Sequence, residues 1–258
     1  MDEVRTTALH SVVDRLVIPR LALQQPNIAR PGRFGTSLSE SIPTVTDFAL
    51  SSDLDRSERV LRRLQGSGAS FADLQLGLLA PAARRLGTMW QNDEISFFDV
   101  SLAAGRLRHM MRFVALDLFT ESAGGGFRHA ILVAPAPGET HTLGATLAAE
   151  FFRRDHWHVT LEPKCCAADL VRMAGSQHFD VLGLSLTSAP DVKALAETIS
   201  EVRAASTNPS IFVIIGGDAV ARDAGLVDEL GADATLAALE FAPSRAQRLV
   251  DALFGPDR

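Results

Sequence analysis

Apolar residues in the second half of the chain fall into short continuous runs, the first of them Ala130-Ile131-Leu132-Val133-Ala134. These runs predict strands at 130–134, 157–161, 180–185 and 211–215, with a short fifth at 233–236. The stretches between and after them carry apolar positions at helical spacing. They predict helices at 143–154, 166–175, 191–204, 219–229 and 244–254. Strands that are apolar throughout and alternate with helices imply a parallel sheet covered on both faces. Five strands in this length predict an α/β, flavodoxin-like (Rossmann-like) doubly wound sheet in the order 2-1-3-4-5, with its switch point between the first and third strands.

The first half has a different rhythm. Leu9, Val12, Val13, Leu16 and Val17 mark a helix within 5–25 that Pro19 ends or bends. Residues 24–43 are rich in Pro, Gly and Ser and read as a flexible linker. Helical spacing resumes over 47–64, and again after the potential cap Ser70, through Leu74, Leu78 and Leu86 to Trp90. Ser96, with Asp99 three residues on, starts a helix whose stripe includes Ala103, Leu107, Met110, Met111 and Val114. The result is a bundle of about four helices if the N-terminal one joins it. Gly124-Gly125-Gly126 interrupts both rhythms. The predicted organisation is an N-terminal helix and linker at 1–44, a helical-bundle cap at 45–122 and the α/β domain at 127–255.

Charge removes one class of function. The net charge of −6 argues against general electrostatic binding to nucleic acid, which needs clustered Lys and Arg. No window is apolar enough to span a membrane, and the N-terminus has no signal-peptide pattern. The adjacent Cys165 and Cys166 suit a reducing cytoplasm better than a disulfide framework. His156 and His158 with these cysteines resemble a zinc set, but the chain would have to reverse to gather them.

The predicted topology brings three loops to one crevice. The first holds Glu139-Thr140-His141 ahead of Gly144, the second follows Gly183-Leu184-Ser185-Leu186-Thr187, and the third contains Gly216-Gly217. Taken singly, these are a solvated histidine, a helix cap and a strand-to-helix turn. Together they form a pattern. Glu139-Thr140-His141-Thr142-Leu143-Gly144 resembles the Asp-x-His-x-x-Gly signature of cobalamin-binding domains. The segments at Ser185 and Gly216-Gly217 resemble that family's second and third motifs, in family order. The resemblance covers about residues 45–255. With the segment around Trp90, it is nearest to the AerR/PpaA-type antirepressors of purple photosynthetic bacteria.

The resemblance implies a cobalamin-binding regulator that is not an enzyme. Its expected partner is a transcriptional repressor, with no sequence-specific DNA binding of its own and no membrane. It further implies that His141 is the lower axial ligand of cobalt, oriented by Glu139, which stands one methylene longer than the family's Asp. Thr140, Gly144, Ser185, Thr187, Gly216 and Gly217 are expected around the cofactor, with Trp90 either in the bundle core or as an aromatic lid. Adenosylcobalamin light sensors carry a cap Trp and, nine intervening residues later, Glu-His. Counted from Trp90, those positions are Val100 and Ser101. The expectation is therefore a preference for hydroxocobalamin or aquocobalamin. His10 and His109 are the candidates for an upper imidazole. Two alternatives share the fold: a haem sensor, and a corrinoid methyl carrier serving a methyltransferase.

Overall fold

The computed structural model describes residues 35–51, 53–118, 129–235 and 238–254. They belong to two compact units. The predicted helix within 5–25, His10 and the Gly124–Gly126 break lie outside the described residues.

The first unit contains α1 (Gly35–Ser51), α2 (Leu54–Gly66), α3 (Ala80–Gln91) and α4 (Phe97–Phe113). Helix α1 corrects the expectation of a linker through residue 43. Leu38, Ile42, Val45 and Ala49 recur at helical spacing, and Leu38, Val45 and Ala49 are buried. Pro43 sits inside the helix on its exposed side. Burial of the stripe outweighs the roughly 3 kcal/mol that an interior proline costs. The expected single helix over 47–64 is two, broken before Asp53, whose carboxylate caps the Arg56 N–H at 3.1 Å. Asp73–Leu79 leads into α3 as π-helical turns, and Pro81 occupies the first turn of α3, where its missing N–H costs least. Ser96 and Asp99 form the predicted capping box of α4.

The second unit runs β1 (Ala130–Pro135), α5 (Leu143–Arg154), β2 (His158–Leu161), α6 (Ala167–Ser176), β3 (Val181–Ser185) and α7 (Val192–Ala205). It continues with β4 (Phe212–Gly216), the short α8 (Asp218–Arg222) and α9 (Leu226–Glu229), β5 (Ala234–Thr235) and α10 (Ala242–Phe254). The predicted helix at 219–229 is thus two short ones. All strand pairs are parallel, in the order β2-β1-β3-β4-β5. The pleat sends Ile131 and Val133 to one face, under Ala145 and Phe152 of α5 and Ala246 and Val250 of α10. Leu132 and Ala134 face the other way, onto a core shared with Leu170 of α6 and Leu195 and Ile199 of α7. Covering both faces leaves the carboxyl edge, where β1, β3 and β4 end, to its loops.

Candidate cobalamin site

The loop after β1 is shaped by its own residues. Ala136-Pro137-Gly138-Glu139 is a tight turn closed by Glu139 N–H on the Ala136 carbonyl at 2.9 Å. Proline in its second position and Gly138 at φ +84° in its third supply the dihedrals of a type II turn. The turn directs Glu139 back toward the loop after β3. There Oε2 accepts Thr187 N–H at 3.0 Å and Ser188 N–H at 2.9 Å. Oε1 accepts the His141 N–H at 3.0 Å and lies 2.6 Å from Nδ1 of the His141 ring. Only 6% of the Glu139 side chain is exposed, against 57% of His141.

Burial pushes the Glu139 carboxyl upward. The hydrogen bonds from Ser188, His141 and Thr187 outweigh that push and hold it down to about 2. The carboxylate is therefore ionised throughout the neutral range and acts only as an acceptor, so Nδ1 carries the proton. In the neutral imidazole that proton position puts the lone pair on Nε2, and Nε2 has no protein partner among the described residues. A buried carboxylate that fixes the ring through Nδ1 and an Nε2 without a protein partner are the chemistry of an oriented metal-ligating imidazole. The extra methylene of Glu does not break the expected pairing. It lets one carboxylate reach two backbone amides of the neighbouring loop as well as the histidine.

The other predicted residues take different parts. Gly144 starts α5 against Ser185: a Cβ there would lie 2.6 Å from the Ser185 hydroxyl oxygen. Gly217, at φ +111°, makes room for protein backbone, since its Cβ would lie 2.3 Å from the Leu186 carbonyl oxygen. Leu186 N–H donates to Gly216 at 2.8 Å, and Ala219 N–H donates to Leu186 at 3.1 Å. Backbone bonds thus join the second and third motifs, while Glu139 joins the first to the second. Thr140 is exposed on the loop, and Thr187 contributes its N–H to Glu139 and its carbonyl to Arg222 at 2.8 Å.

In the first unit, Trp90 is 43% exposed rather than a core residue and meets Phe97 edge-on at 6.2 Å. His109 is exposed and pairs with Glu58 at 3.4 Å. Ser101 donates to the Phe97 carbonyl at 2.7 Å, and Val100 is half-buried. Met110 and Met111 are core residues. In the second unit, Cys166 caps α6 with its thiol on Asp169 at 3.1 Å. Burial and the neighbouring Glu162, Asp169 and Cys166 push the Cys165 thiol up to about 11.

Two side-chain groups carried no signal in the sequence. Arg222 acts on a carbonyl, which no pattern of side chains reveals. At the opposite, amino edge of the sheet, His129 is buried between Asp180 and Asp251, beside Gln247 and Trp157.

Residues 130–240 match the family model for the B12 binding domain. The chain is 30% identical over 152 residues to an uncharacterized 20.5 kDa protein of the bchF-crtJ intergenic region of Rhodobacter capsulatus, covering 59% of this chain and 79% of that one. The Methanosarcina barkeri monomethylamine corrinoid protein has a similar fold, with a TM-score of 0.63 at 15% identity, over 80% of this chain and 96% of that one. The match to the B12 domain falls on the sheet and loops that carry the oriented His141, and the R. capsulatus relative extends the likeness beyond it. This chain therefore belongs to the B12-binding-domain family, in the group that includes the R. capsulatus protein.

Proposed function

We propose that this protein is a cobalamin-responsive transcriptional antirepressor, controlled by light, that works in the cytoplasm through a partner repressor and turns over no substrate. The observation that carries the reading is the exposed His141 imidazole, held at Nδ1 by a buried Glu139 carboxylate. Cobalamin supplies a cobalt with an exchangeable upper position. His141 would ligate that cobalt, with Glu139 fixing the ring and the loop after β3 bracing Glu139 through the Thr187 and Ser188 amides. Val100 and Ser101 stand where adenosyl-type sensors have Glu and His, which favours a small upper ligand such as water or hydroxide. Light would then enter through photolysis of free alkylcobalamins, which generates the form that fits. A difference in affinity between forms is what allows a ligand to shift a protein's state. Regulation without sequence-specific contact to DNA agrees with the net charge of −6. No helix among the described residues is long and apolar enough to cross a membrane.

The test is reconstitution in darkness with hydroxo-, methyl- and adenosylcobalamin, followed by absorption. Corrin bands and tightest binding of hydroxocobalamin are expected, together with loss of the imidazole-ligated spectrum in a folded His141→Ala protein. Tighter adenosylcobalamin binding would return the protein to the adenosyl-sensor mechanism. A Soret band on the purified protein would identify a haem sensor. The corrinoid methyl carrier is the second reading, favoured by the M. barkeri fold. Methyl transfer to a thiol from the methylcobalamin-loaded protein, catalysed by a methyltransferase, would establish it.

A further inference from the structure

Arg222 ends α8 and belongs to none of the three motifs, and among the described residues it has no carboxylate partner. Its Nη2 donates instead to the Thr187 carbonyl at 2.8 Å. The same peptide unit carries the Ser188 N–H, which donates to Glu139 Oε2 at 2.9 Å. In a planar trans peptide the C=O and N–H point in opposite directions, so the guanidinium and the carboxylate sit on opposite sides of one amide. The series then continues from Glu139 Oε1 to the His141 ring at 2.6 Å. A cation on the carbonyl polarises the amide and makes its N–H a stronger donor, because hydrogen bonds in a chain reinforce one another. Arg222 also anchors the exposed Ser188 segment from the side away from Glu139.

We infer that Arg222 is a positioning residue for the axial ligand, acting through the Thr187–Ser188 peptide and Glu139 on His141. The inference rests on the reading of His141 as the cobalt ligand. Arg222 does not touch the cofactor in this role. It keeps the donor that holds Glu139, and Glu139 keeps the ring in its ligating tautomer and orientation. Losing a direct partner of a metal-bound histidine costs about 10- to 100-fold in affinity. Arg222 acts further out in the same chain, so an effect of about 3- to 10-fold is expected.

Two variants of the full chain test this: Arg222→Met, which removes charge and donor at similar length, and Arg222→Lys, which restores a cation. In the cofactor-free protein, hydrogen exchange at the Ser188 amide should quicken about tenfold in Arg222→Met and recover in Arg222→Lys, with an unchanged denaturation midpoint. In the hydroxocobalamin complex, free imidazole should displace His141 at about 3- to 10-fold lower concentration in Arg222→Met, read from the absorption spectrum. Wild-type values for either measurement in Arg222→Met, with His141→Ala still losing the ligated spectrum, would overturn the role of Arg222 alone. If His141→Ala keeps the wild-type spectrum, the ligand assignment falls and this inference falls with it.

Discussion

The two ends of the sheet each hold a histidine against carboxylates, with opposite patterns of burial. At the carboxyl edge the acid is buried and the ring exposed: 6% for Glu139 against 57% for His141. At the amino edge the ring is buried as well, with His129 at 7% and Asp180 at 9%. Each nitrogen of His129 faces a carboxylate, Nδ1 at 3.7 Å from Asp180 and Nε2 at 3.4 Å from Asp251, and Nε2 is also bonded to Gln247. Trp157 packs beside it with ring centroids 5.1 Å apart. Asp180 is itself fixed by the Ala130 N–H at 2.8 Å and by His178 at 3.1 Å. A ligating imidazole needs one nitrogen held and the other free. An imidazole that ties a helix to a sheet uses both. His141 has the first arrangement and His129, which joins β1 to α10, has the second.

The largest expected effect comes from removing the structural ring. His129→Ala leaves a cavity and deprives two carboxylates of their common neighbour, and losses of this kind cost about 3 kcal/mol. Chemical denaturation should report that drop while cobalamin affinity per folded molecule stays at the wild-type value. His141→Ala should do the reverse, changing stability by less than about 1 kcal/mol and abolishing ligation. If both substitutions lower stability equally, or both spare it, the distinction between the two edges is lost.

Next in size is the acid limb of the stability profile. The Glu139 carboxyl is held at about 2, below its ordinary value of 4.5. The unfolded chain therefore takes up this proton first as pH falls. The stabilisation is complete above about 4.5 and disappears as pH falls toward 2, amounting to about 2 kcal/mol after allowance for solvent near the site. Glu139→Gln should flatten that part of the curve, measured as denaturation midpoints between pH 5 and about 2. His129→Ala should leave the Glu139 contribution in place. An unaltered acid limb in Glu139→Gln would mean that the four bonds do not hold the carboxylate in solution.

Much of the α/β unit was legible because its signals are local. Ala130–Ala134 is short, apolar and bounded by Pro135, and the stripe from Leu143 to Arg154 gives α5 at its observed limits. Helix α1 was not legible, because Pro43 and the nearby Gly and Ser obscured the spacing of Leu38, Ile42, Val45 and Ala49. The site was half legible. Glu139 and His141 are a spacing, and a spacing can be read. The amides of Thr187 and Ser188 that restrain Glu139 are present in almost any residue, so side-chain identity says nothing about them. His129, Asp180 and Asp251 come from the starts of β1 and β3 and from the last helix, and only the completed sheet gathers them. Gly217 is expected around the cofactor from the motif alone. Its close neighbour is the Leu186 backbone, visible only once β3 and β4 are paired.

The smallest predicted effect asks whether the carboxyl edge is also fixed sterically, between its first two motifs. Gly144 lies in the first turn of α5, where alanine is the better helix former by about 0.5 kcal/mol near a terminus. In the wild-type background the new Cβ would lie 2.6 Å from the Ser185 hydroxyl oxygen, so that hydroxyl must rotate or the helix must move. Gly144→Ala should therefore be neutral or destabilising by up to about 1 kcal/mol. In a Ser185→Ala background the nearest remaining atom is the residue 185 Cβ, at 3.8 Å, an ordinary contact. There the same substitution should stabilise by about 0.5 kcal/mol, giving a coupling of about 1 kcal/mol between the positions in a double-mutant cycle. Equal gains in both backgrounds would show that the Ser185 hydroxyl yields freely. The first and second motifs would then be joined at this edge by the Glu139 hydrogen bonds and not by close packing of α5 on β3.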